Sequence, residues 1–342
     1  MENIKIALLG QPNSGKSTLF NGLTGSNQRV GNWPGKTVEK IEGKFSYKGT
    51  DYNIVDLPGA YGLSANSDEE VITREYIASG EADLIAVMAD ASQLNRSLFM
   101  LSDYAGIDIP VVLIVNMMDI AESQGKTIDI KGLQNSLNIP VLPIVAADKK
   151  EYKALYDFLE NTNRGNILSD KHFEESYKNV IGEKYRLLKK YIPEEGIGVF
   201  SNTWIIGKLV EKDVRVSDLV KENVEEVDFK EIQSILNGME NGNLLTGNCK
   251  FDWIDRLINE NVCQKKDIFK RSRFDRIATS KRWGKPVAVG IIILGFIASL
   301  IIGFPLMALV MLVMSKVSLL LTKLFISVGV SKWLISLVCG AV

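Results

Sequence analysis

The chain has 342 residues, with 40 Lys and Arg against 41 Asp and Glu, one His and three Cys, a length that allows two or three domains. The net charge of −1 hides a split: from Cys263 onward twelve basic residues face two acidic ones, leaving a balance of −11 before it. An acidic body lacks the basic face that a nucleic-acid binder needs, so no nucleic-acid partner is expected.

The first predicted element is a buried strand, Ile4–Leu9. Met1-Glu2-Asn3 leads straight into it, without the basic start and long apolar stretch of a secretory signal, so the chain is expected to begin in the cytoplasm. Further strand-length apolar runs follow at Lys40–Tyr47, Asn53–Leu57, Leu84–Ala89, Val111–Asn116 and Val141–Val145, with helical patterns at Lys16–Thr24, Glu69–Ser79, Asn95–Tyr104 and Tyr152–Leu159. Strands alternating with helices imply an α/β domain over residues 1–162, with a mostly parallel sheet covered on both faces. From about Asn161 to Arg273 charged amphipathic stretches dominate, predicting an all-α helical domain over 163–272. His172 reads there as a solvated side chain with no metal. Cys249, Cys263 and Cys339 fit neither a disulfide framework nor a metal knuckle and read as free thiols.

Residues 273–342 read as a basic juxtamembrane segment followed by membrane helices. Nine Lys and Arg lie between Lys265 and Lys285, and the thirty residues from Pro286 to Ser315 carry no charge. About 20 apolar residues span a bilayer, so the partner implied is membrane lipid. The positive-inside rule keeps residues 1–285 cytoplasmic at a cell membrane. Gly303-Phe304-Pro305 is expected to break the run, giving a first span near Val287–Ile302. Ser315, Lys316, Ser318, Thr322 and Lys323 recur at helical spacing beyond it, which suits either an interfacial helix or a span facing other helices. The chain stops inside apolar sequence, Cys339-Gly340-Ala341-Val342, and a fragment is the expectation.

Three motifs carry chemistry. Gly10-Gln11-Pro12-Asn13-Ser14-Gly15-Lys16-Ser17, continued by Thr18, matches G-x-x-x-x-G-K-[ST] between a predicted strand and helix. Its glycines let backbone N–H groups wrap a phosphate at a helix start. Lys16 reaches the β- and γ-phosphates, and the Ser17 hydroxyl ligates Mg²⁺. Asp56-Leu57-Pro58-Gly59 ends another strand, where Asp56 can hold the Mg²⁺ shell and the Gly59 N–H can approach a γ-phosphate; a plain Pro-Gly turn is the bland alternative. Asn116-Met117-Met118-Asp119 ends a third. A carboxylate at Asp119 accepts hydrogens from N1 and the 2-amino group of guanine, which adenine does not offer, so GTP or GDP is the expected ligand. Met117 stands where a Lys is usual and can keep the apolar packing on the purine. Val145-Ala146-Ala147 ends the next strand with a backbone N–H suited to guanine O6. All lie in order at strand carboxyl ends, where open parallel sheets bind ligands.

With Asn13 in the loop, Gly31-Asn32-Trp33-Pro34-Gly35-Lys36-Thr37-Val38-Glu39, Asp56 to Tyr61, and Asp275-Arg276 leading to Trp283-Gly284 and Pro286, the chain resembles the ferrous iron transport protein B family over essentially its whole length. The resemblance implies that Arg29–Glu39 is a first switch, with Gly35 and Lys36 at the nucleotide and Thr37 completing the Mg²⁺ shell. It implies a helical domain akin to a guanine-nucleotide dissociation inhibitor and a membrane part that passes Fe²⁺ inward. Small cytoplasmic iron-transport proteins and self-association are the further partners implied. Ala60 stands where many Ras-like GTPases carry the glutamine that orients water, so hydrolysis is expected to be slow. Members are similar to potassium-activated GTPases, which maps a K⁺ ligand role to Asn13, with backbone near Gly31 and Trp33; the alternative for Asn13 is a loop-stabilising side chain. The catalytic set is then Asn13, Lys16, Thr37 and Gly59. Trp33 is left as a membrane contact, a partner contact or a packing residue.

Two other functional classes compete. A soluble assembly or RNA-modifying GTPase shares the phosphate loop but calls for a basic appendage that the acidic body lacks. A membrane-tethered regulatory GTPase gating another protein fits if Val342 is the terminus. A pore needs more than one or two spans, so this chain alone is not expected to transport.

Overall fold

The computed structural model describes residues 3–25, 27–60, 62–63, 67–160, 165–264, 277–278, 280 and 282–339. A seven-stranded sheet organises the first 268 residues. Its strands are β1 (Asn3–Gly10), β2 (Gln28–Asn32), β3 (Glu39–Tyr47), β4 (Thr50–Asp56), β5 (Leu84–Asp90), β6 (Val111–Asn116) and β8 (Val141–Pro143), in the order β2-β3-β4-β1-β5-β6-β8. β1, β4, β5, β6 and β8 run parallel, and β2 and β3 add antiparallel strands at one edge. The β3–β4 hairpin turns at Lys48 and Gly49, both with positive φ, as a two-residue hairpin loop requires. β2 was not expected from the sequence: its five residues are all exposed, so no alternation marks it as a strand.

The strand pleat sorts side chains onto two faces. Ile4, Ile6, Leu8, Ile54, Met88 and Ile114 pack on α1 (Lys16–Thr24) and α6 (Lys153–Glu160). Ala7, Leu9, Val55, Val87, Leu113 and Val115 face the other way. There they meet α2 (Asp68–Ala78), α3 (Leu94–Ser102) and α5 (Ile130–Leu137). That second core continues without a break into α7 (Lys171–Val180), α8 (Glu183–Tyr191), α9 (Asn202–Val210), α10 (Val214–Asn223), α11 (Glu226–Asn237) and α12 (Gly242–Asn261), through Phe173, Tyr177, Trp204, Leu209 and Trp253. The helical region is not purely α. β9 (Val262–Gln264) follows α12 and pairs antiparallel with β7 (Lys126–Ile128), which lies just after α4 (Met118–Ser123). Both strands have three residues, too few for a periodic signal.

Cys249 is buried and Cys263 exposed, both as free thiols. His172 is half-buried rather than solvated: its ring meets Phe173 edge-on, and burial pushes its pKa down, with Arg256 acting in the same sense. Most of the basic block, including Asp275-Arg276, lies outside the described residues, as does the Cys339 side chain.

The second unit, from Phe269 on, holds α13 (Gly284–Ser327) and α14 (Lys332–Cys339). α13 corrects the expected break, because its 44 residues run through Gly303-Phe304-Pro305 as one helix. Proline removes a single N–H, leaving the Ile301 carbonyl without its usual donor, and in long apolar helices such a loss is tolerated. At 1.5 Å per residue α13 is about 66 Å long, more than twice the ~30 Å of a bilayer's hydrocarbon core. It is apolar enough to cross a membrane and buries none of its side chains within the chain.

Candidate nucleotide-binding site

Strand register puts the motifs on one edge of the sheet. Leu8 pairs with Asp56, Gly10 with Met88 and Asp90 with Asn116, so Gly10, Asp56 and Asn116 all close their strands at the same side. The phosphate loop leaves β1 at Gly10 and enters α1 at Lys16. Asn13 and Gly15 both have positive φ, 66° and 91°. A Cβ on Gly15 would also lie 2.1 Å from Asn116 Nδ2, so only glycine fits between loop and base strand. Gln11 Nε2 donates to the Arg96 carbonyl at 2.7 Å, tying the loop to α3. Pro12, Asn13, Ser17 and Thr18 are exposed, and among the described residues the Asn13 and Ser17 side chains make no hydrogen bond. Ser14 is buried and its Oγ has no partner among the described residues. A buried hydroxyl without a partner, in a glycine-turned loop that opens a helix, is suited to an anion.

Lys16 Nζ pairs with Asp56 Oδ1 and donates to the Leu57 carbonyl at 2.6 Å, joining the first two motifs. Burial pushes the Asp56 carboxyl up, and the Lys16 charge pulls it back. Leu57 is buried, its N–H donating to the Leu8 carbonyl at 3.1 Å. Pro58 and Gly59 are half-exposed beside Pro12, and Ala60 is buried. Among the described residues no group of three or more His, Cys, Asp or Glu converges. One buried carboxylate with a nearby helix-start hydroxyl suits Mg²⁺, which keeps waters and takes phosphate oxygens rather than an all-protein cage. Ser17 and Asp56 would hold it.

The base end is fixed by Asn116, whose Nδ2 donates to the Ser14 carbonyl at 2.9 Å while its Oδ1 accepts the Ala146 N–H at 2.9 Å. One buried amide thus bridges phosphate loop and base loop. Met117 sits at φ 60°, the turn that starts α4, and Asp119 is exposed in that helix's first turn. Val145 is half-buried and Ala146 buried. Ala147 is exposed, with no intramolecular partner for its N–H among the described residues. Asn116 takes the Ala146 N–H, so that amide is committed, while the exposed Ala147 keeps an N–H with no partner among the described residues.

The switch residues are not brought to the loop. Thr37 is exposed in the turn between β2 and β3, with no side-chain hydrogen bond among the described residues. Lys36 pairs with Asp68 at 3.1 Å, at the start of α2, and Gly35 turns with φ 68°. Gly31 pairs with Lys40 in the β2–β3 ladder. Trp33, left open between a contact and a packing residue, is a packing residue here. It is buried edge-on against Tyr76 at 5.7 Å, with Lys40 Nζ 4.8 Å from its ring centre, and its carbonyl accepts the Lys36 N–H at 3.0 Å. Tyr61 lies outside the described residues.

Sequence reasoning missed the charged cluster behind this edge. Leu63, four residues after Gly59, donates its N–H to Asp103 Oδ2 at 2.9 Å. Asp103 Oδ1 accepts from Lys208 at 2.9 Å and Lys250 at 2.8 Å, and Glu211 pairs with both lysines at 3.0 Å. Burial pushes the Asp103 carboxyl up, but the two ammonium groups outweigh it and hold it well below the usual range. Nearby, Arg74 of α2 pairs with Asp213, both almost fully buried. The available signal was a lone charge in an apolar helix: Lys208 sits within Trp204-Ile205-Ile206-Gly207-Lys208-Leu209-Val210.

The family profile described as "Ferrous iron transport protein B" matches residues 4–159. The Fe(2+) transporter FeoB of Escherichia coli (strain K12) is 32% identical over 311 residues, covering 89% of this chain and 39% of the relative. That of Salmonella typhimurium is 42% identical over 177 residues, 51% of this chain and 23% of the relative. The chain thus spans about two fifths or less of these curated relatives. Among solved structures, a mutant S. thermophilus NFeoB bound to GDP aligns with TM-score 0.62 at 32% identity, over 75% of this chain and 99% of that one. The cytosolic domain of L. pneumophila FeoB aligns with TM-score 0.60 at 31% identity, over 76% and 100%. The profile match, and this likeness across nearly the full length of those two solved chains, place the chain in the ferrous iron transport protein B family.

Proposed function

We propose that this chain is the guanine-nucleotide switch of a membrane ferrous-iron transporter, binding GTP and hydrolysing it slowly with stimulation by K⁺. Residues 1–162 serve as the nucleotide-binding part, 163–272 as a helical part that slows nucleotide release, and 273–342 as the start of the membrane part. The observation that carries this reading is the Asn116 amide, which ties the loop at Ser14 to the loop at Ala146. Asp119 accepts from N1 and the 2-amino group of guanine, and the Ala147 N–H donates to O6. Lys16 moves from Asp56 to the β- and γ-phosphates, and Gly59 N–H meets the γ-phosphate. Ser17, Asp56 and, once the first switch closes, Thr37 would hold Mg²⁺, which would supply positive charge at the phosphates. Ala60 offers no side chain to orient water, which keeps hydrolysis slow. Asn13, with the carbonyls near Gly31 and Trp33 once the first switch leaves its β2–β3 pairing, would hold a K⁺, which would supply the missing positive charge.

The test is GTP and ATP turnover by the full chain in detergent, in KCl and then NaCl. GTP-only turnover, faster in K⁺ by about tenfold or more, is expected, and Asn13→Ala should abolish the difference between the salts while leaving GDP binding within a few-fold. Equal turnover of ATP would remove the guanine reading. Equal rates in both salts for the unsubstituted chain would remove the potassium role and leave the switch.

A further inference from the structure

Tyr152 is not one of the residues that the three motifs single out, yet it is buried to 1% exposure directly beneath the base loop. It closes the short helical turn Lys149–Tyr152 that leads into α6. Its hydroxyl donates to the Ala146 carbonyl at 2.6 Å. The other side of that hydroxyl meets α1, where a Cβ added at Gly22 would lie 2.0 Å from it. The hydroxyl is therefore pinned between the helix that starts at Lys16 and the loop that ends at Ala147.

The consequence follows from peptide planarity. The Ala146 carbonyl and the Ala147 N–H belong to one trans peptide unit, so they point in opposite directions within one plane. Holding the carbonyl inward on Tyr152 turns the Ala147 N–H outward. Asn116 fixes the preceding amide by taking the Ala146 N–H, so both polar groups of Ala146 are held by buried side chains. Without the phenol hydroxyl this peptide is free to rotate, and a buried carbonyl loses its donor.

We propose that Tyr152 is a positioning residue for base recognition, aiming the Ala147 N–H at the O6 of a guanine base. The inference rests on the guanine-nucleotide reading above and deepens it. Tyr152 touches no nucleotide atom and acts only through the 146–147 peptide.

The experiment compares equilibrium binding of GDP with that of 2-aminopurine riboside diphosphate, which lacks O6 and with it the N1 hydrogen, to the full chain in detergent, each variant being referred to the unsubstituted chain with the same ligand. Tyr152→Phe keeps the ring and removes the hydroxyl. It should weaken GDP about tenfold, the scale of one hydrogen bond, while changing the analogue by less than about twofold. Gly22→Ala reaches the same hydroxyl sterically and should show the same O6-selective loss. A merely structural role would weaken both ligands equally, and that result, or unchanged GDP binding in Tyr152→Phe, overturns the proposal. Failure of the guanine reading itself looks different: the unsubstituted chain would then bind GDP no better than ADP.

Discussion

Asp103→Ala is expected to destabilise the first unit by about 3–5 kcal/mol, on the order of 10 °C in the Tm of a unit this large. The carboxylate is 2% exposed and is the shared acceptor for Lys208, Lys250 and the Leu63 N–H. Among the described residues, removing it leaves Glu211 as the one carboxylate paired with the two buried ammonium groups. Losing one partner of a buried pair costs far more than the pair's net worth, because the remaining charge is stranded away from water. Arg215→Ala is the control. Its pair with Glu75 is about half exposed on both sides, and such pairs contribute about 0–1 kcal/mol. Thermal unfolding of the full chain in detergent, followed by near-ultraviolet circular dichroism, compares the two; equal shifts would contradict the buried-cluster account.

The same cluster sets a pH window. The Asp103 pKa is lowered, so its stabilisation is complete above the ordinary carboxylate value of 3.8 and is lost as pH falls through its own lower value. The Lys250 pKa moves the opposite way: burial lowers it, but Asp103 and Glu211 outweigh burial and raise it. Its stabilisation is complete below the ordinary value of 10.5 and is lost as pH rises through the raised one. The Asp103–Lys250 pair therefore contributes fully between these two ordinary values. Leu63 hangs on Asp103 beside the Gly59 turn, so loosening the cluster should also speed hydrogen exchange at the Leu63 amide.

Asp119→Asn should weaken GDP binding by about 10²–10⁴-fold, the scale of two charge-assisted hydrogen bonds. The carboxylate only accepts, matching the N1 and 2-amino hydrogens of guanine. A carboxamide presents one acceptor and one donor, which instead suits the N1–H and 2-oxo group of xanthine. The substituted chain should accordingly bind xanthosine diphosphate better than GDP, measured by displacement of a fluorescent nucleotide. Asp119 is exposed in the first turn of α4, so the substitution disturbs no packed neighbour, and an unchanged melting temperature separates lost recognition from lost fold. GDP affinity within about threefold of the unsubstituted chain would sink the assignment of Asp119.

By itself the sequence determined the parts of this protein whose chemistry is local. The candidate phosphate loop is eight consecutive residues, and its setting between β1 and α1 could be read because the glycines, lysine and serine of Gly10 to Ser17 must adjoin one another to wrap an anion. The inner strands were legible because sheets covered on both faces need continuous apolar runs, and α13 because thirty uncharged residues leave few other homes. Tertiary structure alone decided what depends on a distant partner. Asp103 meets Lys208 and Lys250 across 105 and 147 residues, and no periodicity encodes which buried charge will find which. β2 became a strand only because β3 offered it a ladder, and β9 only because β7 did. Trp33 could be read as surface or core until Tyr76 was placed beneath it. Pro305 did not end its helix, since proline removes a single N–H from a helix of 44 residues. Composition and spacing report what a segment can do, and packing selects the partner with which it does it.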